Sequence, residues 1–492
     1  YAVALSRTHP PARGLFFLLY RQHQRSARTE SSSASDVYQG QLLDVLIAYD
    51  TIALTPNLDL IHDCRDRLES LGATVVLTHD ETGTKANLFA TIGPDVTGGV
   101  VLSGHSDVVP VDAADWTTPP FSADRRDGRV YGRGTADMKG FISCVLAMAP
   151  AFAELDLERP IHVALTFDEE DGFHGAPILM ADLVARGVRP AAAIIGEPTG
   201  LRTVGAHKGC YEYRTTITGL DGHSSEPARA VNAVHHASRW ISGLMGLADE
   251  LVTRAPDPSP YSPPWTTFNV GTIDGGQGRC VVANHCAFDW EMRPVLRDDA
   301  DFVKARMVDV EAGLLAEMRA VHPGASIHTE VVCEVDGLEW LETSPALDLM
   351  RVLLADEVSA NDGDLPVDVV SYGTEAGLFQ AAGIPAVLWG PGDIGVAHRP
   401  DEYVAFADIV VCLGILSSLG DLMSRRRTRR SGHGGRVTGL RRGLSVPHRW
   451  VRSAPPLLLR SLGSTLTPLV LSELDARDHN PRRQRAASCA SR

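Results

Sequence analysis

Residues 101–107 read Val-Leu-Ser-Gly-His-Ser-Asp, a short apolar run that leads directly into an imidazole, His105, and a carboxylate, Asp107. Such a run is typical of a strand that is buried on both faces. The pattern recurs where Ile161–Phe167 ends on acidic residues and where Ala192–Ile195 ends on Gly-Glu. Because helical segments alternate with these runs, the sequence predicts an α/β domain with a largely parallel sheet. Sheets of this kind gather functional side chains just after the C-terminal ends of their strands.

A different pattern occupies residues 209–335. Its strands and helices follow the order β-α-β-β-α-β, which predicts an inserted ferredoxin-like α+β domain. The predicted strands are Tyr211–Thr218, Thr266–Ile273, Cys286–Arg293 and Ser326–Val335, and the predicted helices are Ala228–Leu247 and Ala300–Ala320. Because the first pattern resumes afterwards, we predict one discontinuous domain at 38–208 and 336–422, with 209–335 as an inserted domain.

The two ends of the chain differ from its body. Residues 1–37 are rich in Ser, Arg and Pro and are predicted to be a disordered extension. Residues 423–492 are predicted to be a disordered Arg-rich tail, and residues 421–492 hold 16 arginines against four acidic residues. A nucleic-acid or membrane patch, or an extension unrelated to function, would have the same composition. The full chain has a net charge of −15, so the residues before this tail are strongly acidic. An acidic body argues against nucleic-acid binding by that part of the chain.

The composition is that of a soluble globular protein, with 44% hydrophobic and 22% charged residues. Its length of 492 residues exceeds the ~250–300 at which a single core stops growing, so two domains are expected. Eight scattered cysteines without a CxxC motif indicate reduced thiols. No apolar run approaches the ~20 residues of a membrane span. We therefore predict a cytoplasmic protein that binds neither nucleic acid nor membrane.

A set of imidazoles and carboxylates follows the predicted strands. Such side chains are the ligands of zinc, and five of them with one spare carboxylate suit two metals that share a bridge. A two-metal site can activate water for hydrolysis at neutral pH. Each residue alone has an ordinary explanation, such as a helix N-cap or a solvated loop, but their joint placement favours a metallohydrolase. The candidates are His105, Asp137, Glu169, Glu170, Glu197 and His398.

Several motifs carry a family resemblance over roughly residues 40–422. They are Ser103–Pro110, Asp127–Gly140, Thr166–Gly172, Gly196–Thr199, His207–Gly209, Gly222–Ser225 and Ser371–Tyr403. With these motifs the chain resembles the dinuclear-zinc aminoacylase and peptidase family, which includes succinyl-diaminopimelate desuccinylase and glutamate carboxypeptidase. The stretch Ser371–Phe379 resembles the acetylornithine branch of that family.

The resemblance implies a role for each residue of the cluster. Glu169 would be the general base, and Asp107 would orient the ring of His105. The cofactors would be two divalent metal ions, Zn²⁺ with Co²⁺ as the other possibility. Their implied ligands are His105 and Glu197 for one ion, Glu170 and His398 for the other, and Asp137 as the bridge between them.

The resemblance also implies substrate contacts. His223 would reach the active site of a partner subunit and donate to the developing oxyanion, unless it is a plain loop histidine. Arg293 would grip the α-carboxylate of the substrate, although a structural ion pair is an alternative reading. Asn284 and Glu375 are further candidates for substrate binding. The inserted domain would close over the site and form a homodimer.

The implied reaction is hydrolysis of an N-acyl amino acid. The branch resemblance favours conversion of N2-acetyl-L-ornithine to L-ornithine and acetate, a step of arginine biosynthesis. The alternatives are another N-acyl-amino-acid deacylase or a desuccinylase, a non-catalytic binding protein on the same scaffold, and a structural role that rests on the Arg-rich tail.

Overall fold

The computed structural model describes residues 31–425, with side chains from residue 40 onward. The predictions for residues 1–30 and 426–492 therefore lie outside the described residues. The described strands, in chain order, are β1 (Thr74–His79), β2 (Ala86–Ile92), β3 (Val100–His105), β4 (Asp124–Arg126), β5 (Arg129–Tyr131), β6 (Ile161–Thr166), β7 (Ala192–Ile195), β8 (Thr203–His207), β9 (Cys210–Thr218), β10 (Thr267–Gly275), β11 (His285–Arg293), β12 (Ser326–Val335), β13 (Val367–Val370), β14 (Ala386–Leu388) and β15 (Tyr403–Ala405).

The described α-helices lie before, between and after these strands. In chain order they are α1 (Ser31–Ala48), α2 (Leu58–Ser70), α3 (Lys139–Glu154), α4 (Gly175–Arg186), α5 (Ala233–Met245), α6 (Ala248–Thr253), α7 (Arg297–Val321), α8 (Pro345–Leu353), α9 (Ala355–Ala360), α10 (Ala376–Ala381) and α11 (Phe406–Met423). Two short 3₁₀ helices span Ala113–Asp115 and Pro227–Arg229.

The large sheet has the strand order β1-β2-β6-β3-β7-β14-β8-β13. Its four central strands β6, β3, β7 and β14 run parallel, whereas β1, β2 and β6 pair antiparallel. All six residues of β3 are buried. Their side chains alternate between two apolar clusters, so that Leu102 packs on one face of the sheet and Val101 on the other. The predicted α/β architecture with a largely parallel sheet is confirmed.

The small sheet is antiparallel and has the strand order β10-β11-β9-β12. Helices α5 and α7 cover one face, where Trp240 meets Phe288 and Trp290 with ring centroids 5.1 and 5.2 Å apart. This order, together with the β-α-β-β-α-β sequence of elements, is the ferredoxin-like arrangement that the sequence predicts. The first strand of this sheet follows β8 of the large sheet, and its last strand leads back to α8 and β13.

Some element boundaries differ from the prediction. Helix α5 begins at Ala233 rather than Ala228, because the side chain of Asn232 caps it by accepting a hydrogen bond from His235 N at 3.0 Å. Residues 248–253 form the short helix α6, which lies between the two predicted helices of this domain. Helix α1 begins at Ser31, inside the segment predicted to be disordered, since each added helical residue gains one hydrogen bond once a helix is nucleated.

Helix α11 has only two charged residues, Asp408 and Asp421, among its 18 and is the one described helix long and apolar enough to cross a membrane. The sequence analysis did not single it out. Its buried residues include Ile409, Leu413 and Leu416, and these pack in the same apolar cluster as Phe141 and Val145 of α3. Core helices of globular proteins have this composition as well.

Asn57, directly before α2, links this helix to three strands of the large sheet. It is 3% exposed, and its amide nitrogen donates to the carbonyl of Ala86 and to the hydroxyl of Ser106, both at 3.0 Å. Its amide oxygen accepts from Ala86 N at 3.0 Å. Ser106 in turn donates to the carbonyl of Thr166 at 2.7 Å, so this network ties the start of α2 to β2 and to the ends of β3 and β6.

We expect Asn57→Ala to lower the free energy of unfolding by about 1–3 kcal/mol, because both backbone groups of Ala86 lose a buried partner. Urea unfolding followed by circular dichroism measures the change. The control is Asn361→Ala at an exposed position, where the expected change is within about 0.5 kcal/mol. Equal stabilities for the two variants would contradict this account of Asn57.

Candidate metal centre

The predicted ligands converge at the C-terminal ends of the central strands. His105 is the last residue of β3, the pair Glu169-Glu170 follows β6 and Glu197 follows β7. Because these strands are parallel neighbours, their ends meet at one edge of the sheet. His105, Glu169 and Glu197 are all less than 9% exposed. His398 lies on a loop after β14 and has a left-handed backbone conformation, with φ of 60°.

Asp137 lies between two imidazoles. Its Oδ1 is 2.9 Å from His105 Nε2, and its Oδ2 is 3.4 Å from His398 Nε2. The same His398 nitrogen is 2.9 Å from Glu170 Oε2. Each oxygen of Asp137 therefore faces a different histidine, which is the arrangement that a carboxylate bridge between two ions requires.

Burial and mutual repulsion govern the charges of this cluster. Burial raises the pKa of Glu169 and of Glu197 well above the usual value, and neighbouring carboxylates raise it further. Burial, with the nearby charge of Asp137, raises the pKa of Glu170 to about 7. Hydrogen bonds that the protonated ring donates to Asp137 and Glu170 raise the pKa of His398 to about 10. Hydrogen bonds from His105 and His398 have the opposite effect on Asp137 and hold its pKa below the usual value.

The donor set fits divalent ions. Ligand atoms of His105, Asp137 and Glu170 all lie within 4.8 Å of one another. Oε1 of Glu197 is buried without a hydrogen-bond partner, and an orphaned buried carboxylate oxygen is satisfied by a cation. Two imidazoles with several carboxylates form the donor set of zinc and related metals.

The ring of His105 is oriented by the main chain. Its Nδ1–H donates to the carbonyl oxygen of Asp107 at 3.0 Å, whereas the Asp107 carboxylate oxygen Oδ1 is 3.8 Å from the same nitrogen. The other carboxylate oxygen accepts from Glu170 N at 3.0 Å. The bond to the ring is therefore made by the carbonyl of Asp107 rather than by the predicted carboxylate, because the turn after β3 brings the backbone back to the ring. The carboxylate fixes the Glu169-Glu170 turn instead.

Glu402 is a residue of the site that the sequence analysis missed. It is 1% exposed and accepts four hydrogen bonds, from Arg133 Nη1 at 2.6 Å and from the backbone amides of Gly134, Ala136 and Asp137 at 3.1, 2.8 and 3.1 Å. It therefore fixes the loop that carries Asp137. A glutamate more than 260 residues away in sequence gives no local sign of this contact; its only signal was its position within a motif of the family resemblance.

Asp168 was also missed. It has a left-handed backbone with φ of 51°, and its carboxylate accepts from Leu54 N at 2.7 Å and forms a buried ion pair with Lys85. These contacts hold the residue that precedes Glu169. Asp and Asn tolerate the left-handed region better than most residues, which suits Asp168 to the turn.

Glu375 is a buried carboxylate next to Thr166, the last residue of β6. It is 1% exposed, and its Oε2 accepts from the hydroxyl of Thr166 at 3.0 Å. Burial raises its pKa to about 7. Its neighbour Thr374 hydrogen-bonds through its hydroxyl to His207 Nε2 at 3.0 Å.

The three candidates on the small-sheet domain make local contacts. His223 is exposed, with Nδ1 2.7 Å from the hydroxyl of Ser225. Asn284 accepts from Gln277 at 3.4 Å. Arg293 pairs with Glu291 on the same strand and lies 3.7 Å from Glu212. None of the hydrogen bonds or ion pairs of these residues within 31–425 reaches the metal ligands.

Comparisons with known proteins agree with this geometry. Residues 101–420 match peptidase family M20/M25/M40. An acetylornithine deacetylase of Myxococcus xanthus is 35% identical over an alignment of 388 residues that covers 76% of this chain and 94% of the relative. An acetylornithine deacetylase of Proteus mirabilis is 34% identical over an alignment of 377 residues that covers 75% of this chain and 92% of that protein.

Solved structures share the fold at low sequence identity. The M20 family metallo-carboxypeptidase Sso-CP2 of Sulfolobus solfataricus aligns with a TM-score of 0.62 and 18% identity, over 78% of this chain and 99% of that one. The Bacillus subtilis YXEP protein, a dinuclear metal binding peptidase from the M20 family, aligns with a TM-score of 0.53 and 15% identity, over 79% and 98% of the two chains.

We expect Glu402→Gln to weaken metal binding by roughly 10–100-fold, the usual effect of losing a partner that orients a ligand. The amide nitrogen of glutamine cannot accept the hydrogen bonds that one oxygen of Glu402 now accepts, so the loop with Asp137 loosens. Titration of the apoprotein against a competing chelator measures the affinity. The control is Glu342→Gln, at an exposed glutamate. Metal affinity equal to that of the control, in a folded variant, would contradict the positioning role.

Proposed function

Because the chain belongs to peptidase family M20/M25/M40, whose members are metallohydrolases of amide bonds, we propose that it removes the acyl group from an N-acyl amino acid. Membership confirms the family resemblance predicted from the sequence motifs, and with it the predictions of a metallohydrolase and of N-acyl-amino-acid hydrolysis. The observation that carries the proposal is the position of Asp137 between two imidazoles, with a further buried carboxylate, Glu169, beside them.

Five side chains would hold two divalent ions, for which we propose Zn²⁺, with Co²⁺ as a substitute. His105 and Glu197 would bind one ion, Glu170 and His398 the other, and Asp137 both. When bound, such ions lower the pKa of a coordinated water and polarise the carbonyl that it attacks. In this assignment each oxygen of Asp137 would bind the same ion as the histidine that it already faces.

Glu169 would move the proton. Within the described contacts, neither His105 nor His398 forms a hydrogen bond with Glu169, so its carboxylate is free to accept the proton of the attacking water. Burial raises its pKa well above the usual value, which suits a group that must hold a proton and then return it. The proton would pass to the amide nitrogen as the carbon–nitrogen bond breaks, giving a carboxylate and a free amine.

The substrate we propose is N2-acetyl-L-ornithine, which would be cleaved to L-ornithine and acetate as a step of arginine biosynthesis. The named activity of the Myxococcus and Proteus relatives supports this choice over a desuccinylase. Arg293, with 27% of its side chain exposed, would exchange Glu291 for the α-carboxylate of the substrate. We keep Asn284 and Glu375 as proposed substrate-binding residues.

Residues 209–335 would act as the lid and dimerisation domain between the catalytic segments 38–208 and 336–422. In a homodimer, His223 would donate a hydrogen bond to the developing oxyanion at the partner's site. Its exposure on the small-sheet domain is compatible with such a contact. We further propose that the protein acts in the cytoplasm, without nucleic-acid or membrane partners. A non-catalytic binding protein is not favoured, since both the proposed base and all of the proposed ligands are in place.

Replacement of Glu169 separates chemistry from metal binding. We expect Glu169→Gln to reduce turnover by about 10²–10⁴-fold, the typical contribution of a general base, while its metal content stays at the wild-type level. Glu170→Gln is the matched neighbour and is expected to lose metal as well as activity. Metal analysis and single-substrate kinetics measure both. A Glu169→Gln protein that loses its metal would overturn the proposed division of roles.

A substrate panel tests the proposed reaction. We expect hydrolysis of N-acetyl-L-ornithine to exceed that of N-succinyl-diaminopimelate and N-acetyl-methionine, and to stop when a chelator removes the metal. Activity that returns with Zn²⁺ or Co²⁺ supports the metal requirement. A preference for another of the three substrates would refute the acetylornithine assignment and leave the deacylase mechanism standing. Turnover of none of them by metal-loaded protein would contradict the deacylase proposal for these substrates.

A further inference from the structure

A second group of metal-ligating side chains lies where the small-sheet domain joins the large sheet. It consists of Cys210, the first residue of β9, together with Glu212 on the same strand and Cys333 on β12. One ligand atom from each residue lies within 4.8 Å of the others. Both cysteines are at most 5% exposed. We call these three residues the joint cluster.

The joint cluster contains hydrogen bonds whose protons a metal would replace. The thiol of Cys210 donates to Glu212 Oε1 at 3.3 Å, and the thiol of Cys333 donates to the carbonyl oxygen of Cys210 at 3.7 Å. Ligands at the ~2.3 Å distance of a zinc–sulfur bond in a tetrahedral site are ~3.8 Å apart. The separation of Cys210 from Glu212 is already below that value, so small rotations of the side chains would suffice.

The surroundings of the joint cluster suit a closed metal site. Cys210 and Cys333 share a small apolar cluster with Phe173, Val335 and Leu378, which keeps water from the sulfur atoms. Phe173 and Leu378 belong to the part of the chain that carries the large sheet, so the cluster is packed between the two sheets. Glu212, with 39% of its side chain exposed, leaves an entry path for an ion.

Charge balance also permits an ion here. Two thiolates and one carboxylate carry three negative charges, and a divalent cation leaves one. Arg293 Nη2, 3.7 Å from Glu212 Oε1, lies next to this remaining charge and partly compensates it. Arg293 keeps its ion pair with Glu291 when the Glu212 oxygen turns toward an ion, so no buried charge is left without a partner.

We propose that Cys210, Glu212 and Cys333 form a third metal site, which binds a thiophilic divalent cation of the Zn²⁺ and Cd²⁺ class. Binding releases two protons, one from each thiol, and its affinity rises with pH. The ion joins β9 to β12 next to the two points where the chain passes between the sheets. At this place the segments before β9 and after β12 are already joined by the hydrogen bond from His207 N to the carbonyl of Leu338 at 3.1 Å. The proposal does not rest on the proposed reaction.

Sulfur gives this site a signature of its own. The proposed ligands of the two-metal centre are imidazoles and carboxylates, so absorption from thiolate-to-metal charge transfer reports only a cysteine site. We would titrate the reduced full-length protein with Cd²⁺ and follow this ultraviolet absorption. We expect saturation at one equivalent of thiolate-bound Cd²⁺ in the wild type and loss of the band in Cys210→Ser and in Cys333→Ser.

Two further variants and a thiol measurement complete the test. Cys280→Ser, at an exposed cysteine outside the cluster, should keep the full band. Glu212→Gln, at a partly exposed position that tolerates the change, should keep the band but bind Cd²⁺ roughly tenfold or more weakly. A band that persists in both cluster variants, or one that disappears with Cys280, would overturn the proposal. A wild-type protein that gives no band because Cys210 and Cys333 form a disulfide would also overturn it. Mild oxidation would then remove two thiols, and a reductant would restore them.

Discussion

Negative charge held out of water is the constraint on which the site depends. Asp137, Glu169, Glu170 and Glu197 occupy one pocket at the ends of parallel strands, where their charges repel and where burial disfavours every ionised form. Such a pocket exists only because the surrounding fold imposes it. The amides and the guanidinium that converge on Glu402, the carbonyl that orients His105 and the Asn57 network all hold backbone that carries these acids. Cations are the natural complement of this pocket.

Much of the site could be predicted from the sequence, because an apolar run that is followed by a polar residue marks the end of a strand. Apolar runs followed by His or Glu placed His105, Glu169 and Glu197 at one edge of the sheet, since period and order along the chain are local properties. Contacts between distant segments are not local. The role of Glu402 and the use of the Asp107 carbonyl rather than its carboxylate depend on how the turns are oriented in space. The start of α5 was missed because an Asn cap competes with helical periodicity in the preceding residues.

The two sheets divide the proposed chemistry unequally. The large sheet supplies the ligands and the base on a buried and rigid framework, whereas Arg293 and His223 belong to the small sheet and make only local contacts there. Under the proposed mechanism the substrate itself brings the two sets together, because its carboxylate offers Arg293 a better partner than Glu291. Binding energy far from the scissile bond can then be used to assemble the reacting groups.

The dependence of the Asp137 loop on Glu402 also sets an order of events during synthesis. Four of the six acids and imidazoles at the centre have been synthesised once residue 170 is made, yet the hydrogen bonds that Glu402 accepts from the loop with Asp137 form only after residue 402 has followed. The small-sheet domain is continuous at 209–335 and can fold in the interval, as domains generally do. The proposed set of ligands is therefore incomplete in the nascent chain until residues 398–402 have been synthesised, and firm binding of the proposed ions would wait for that segment.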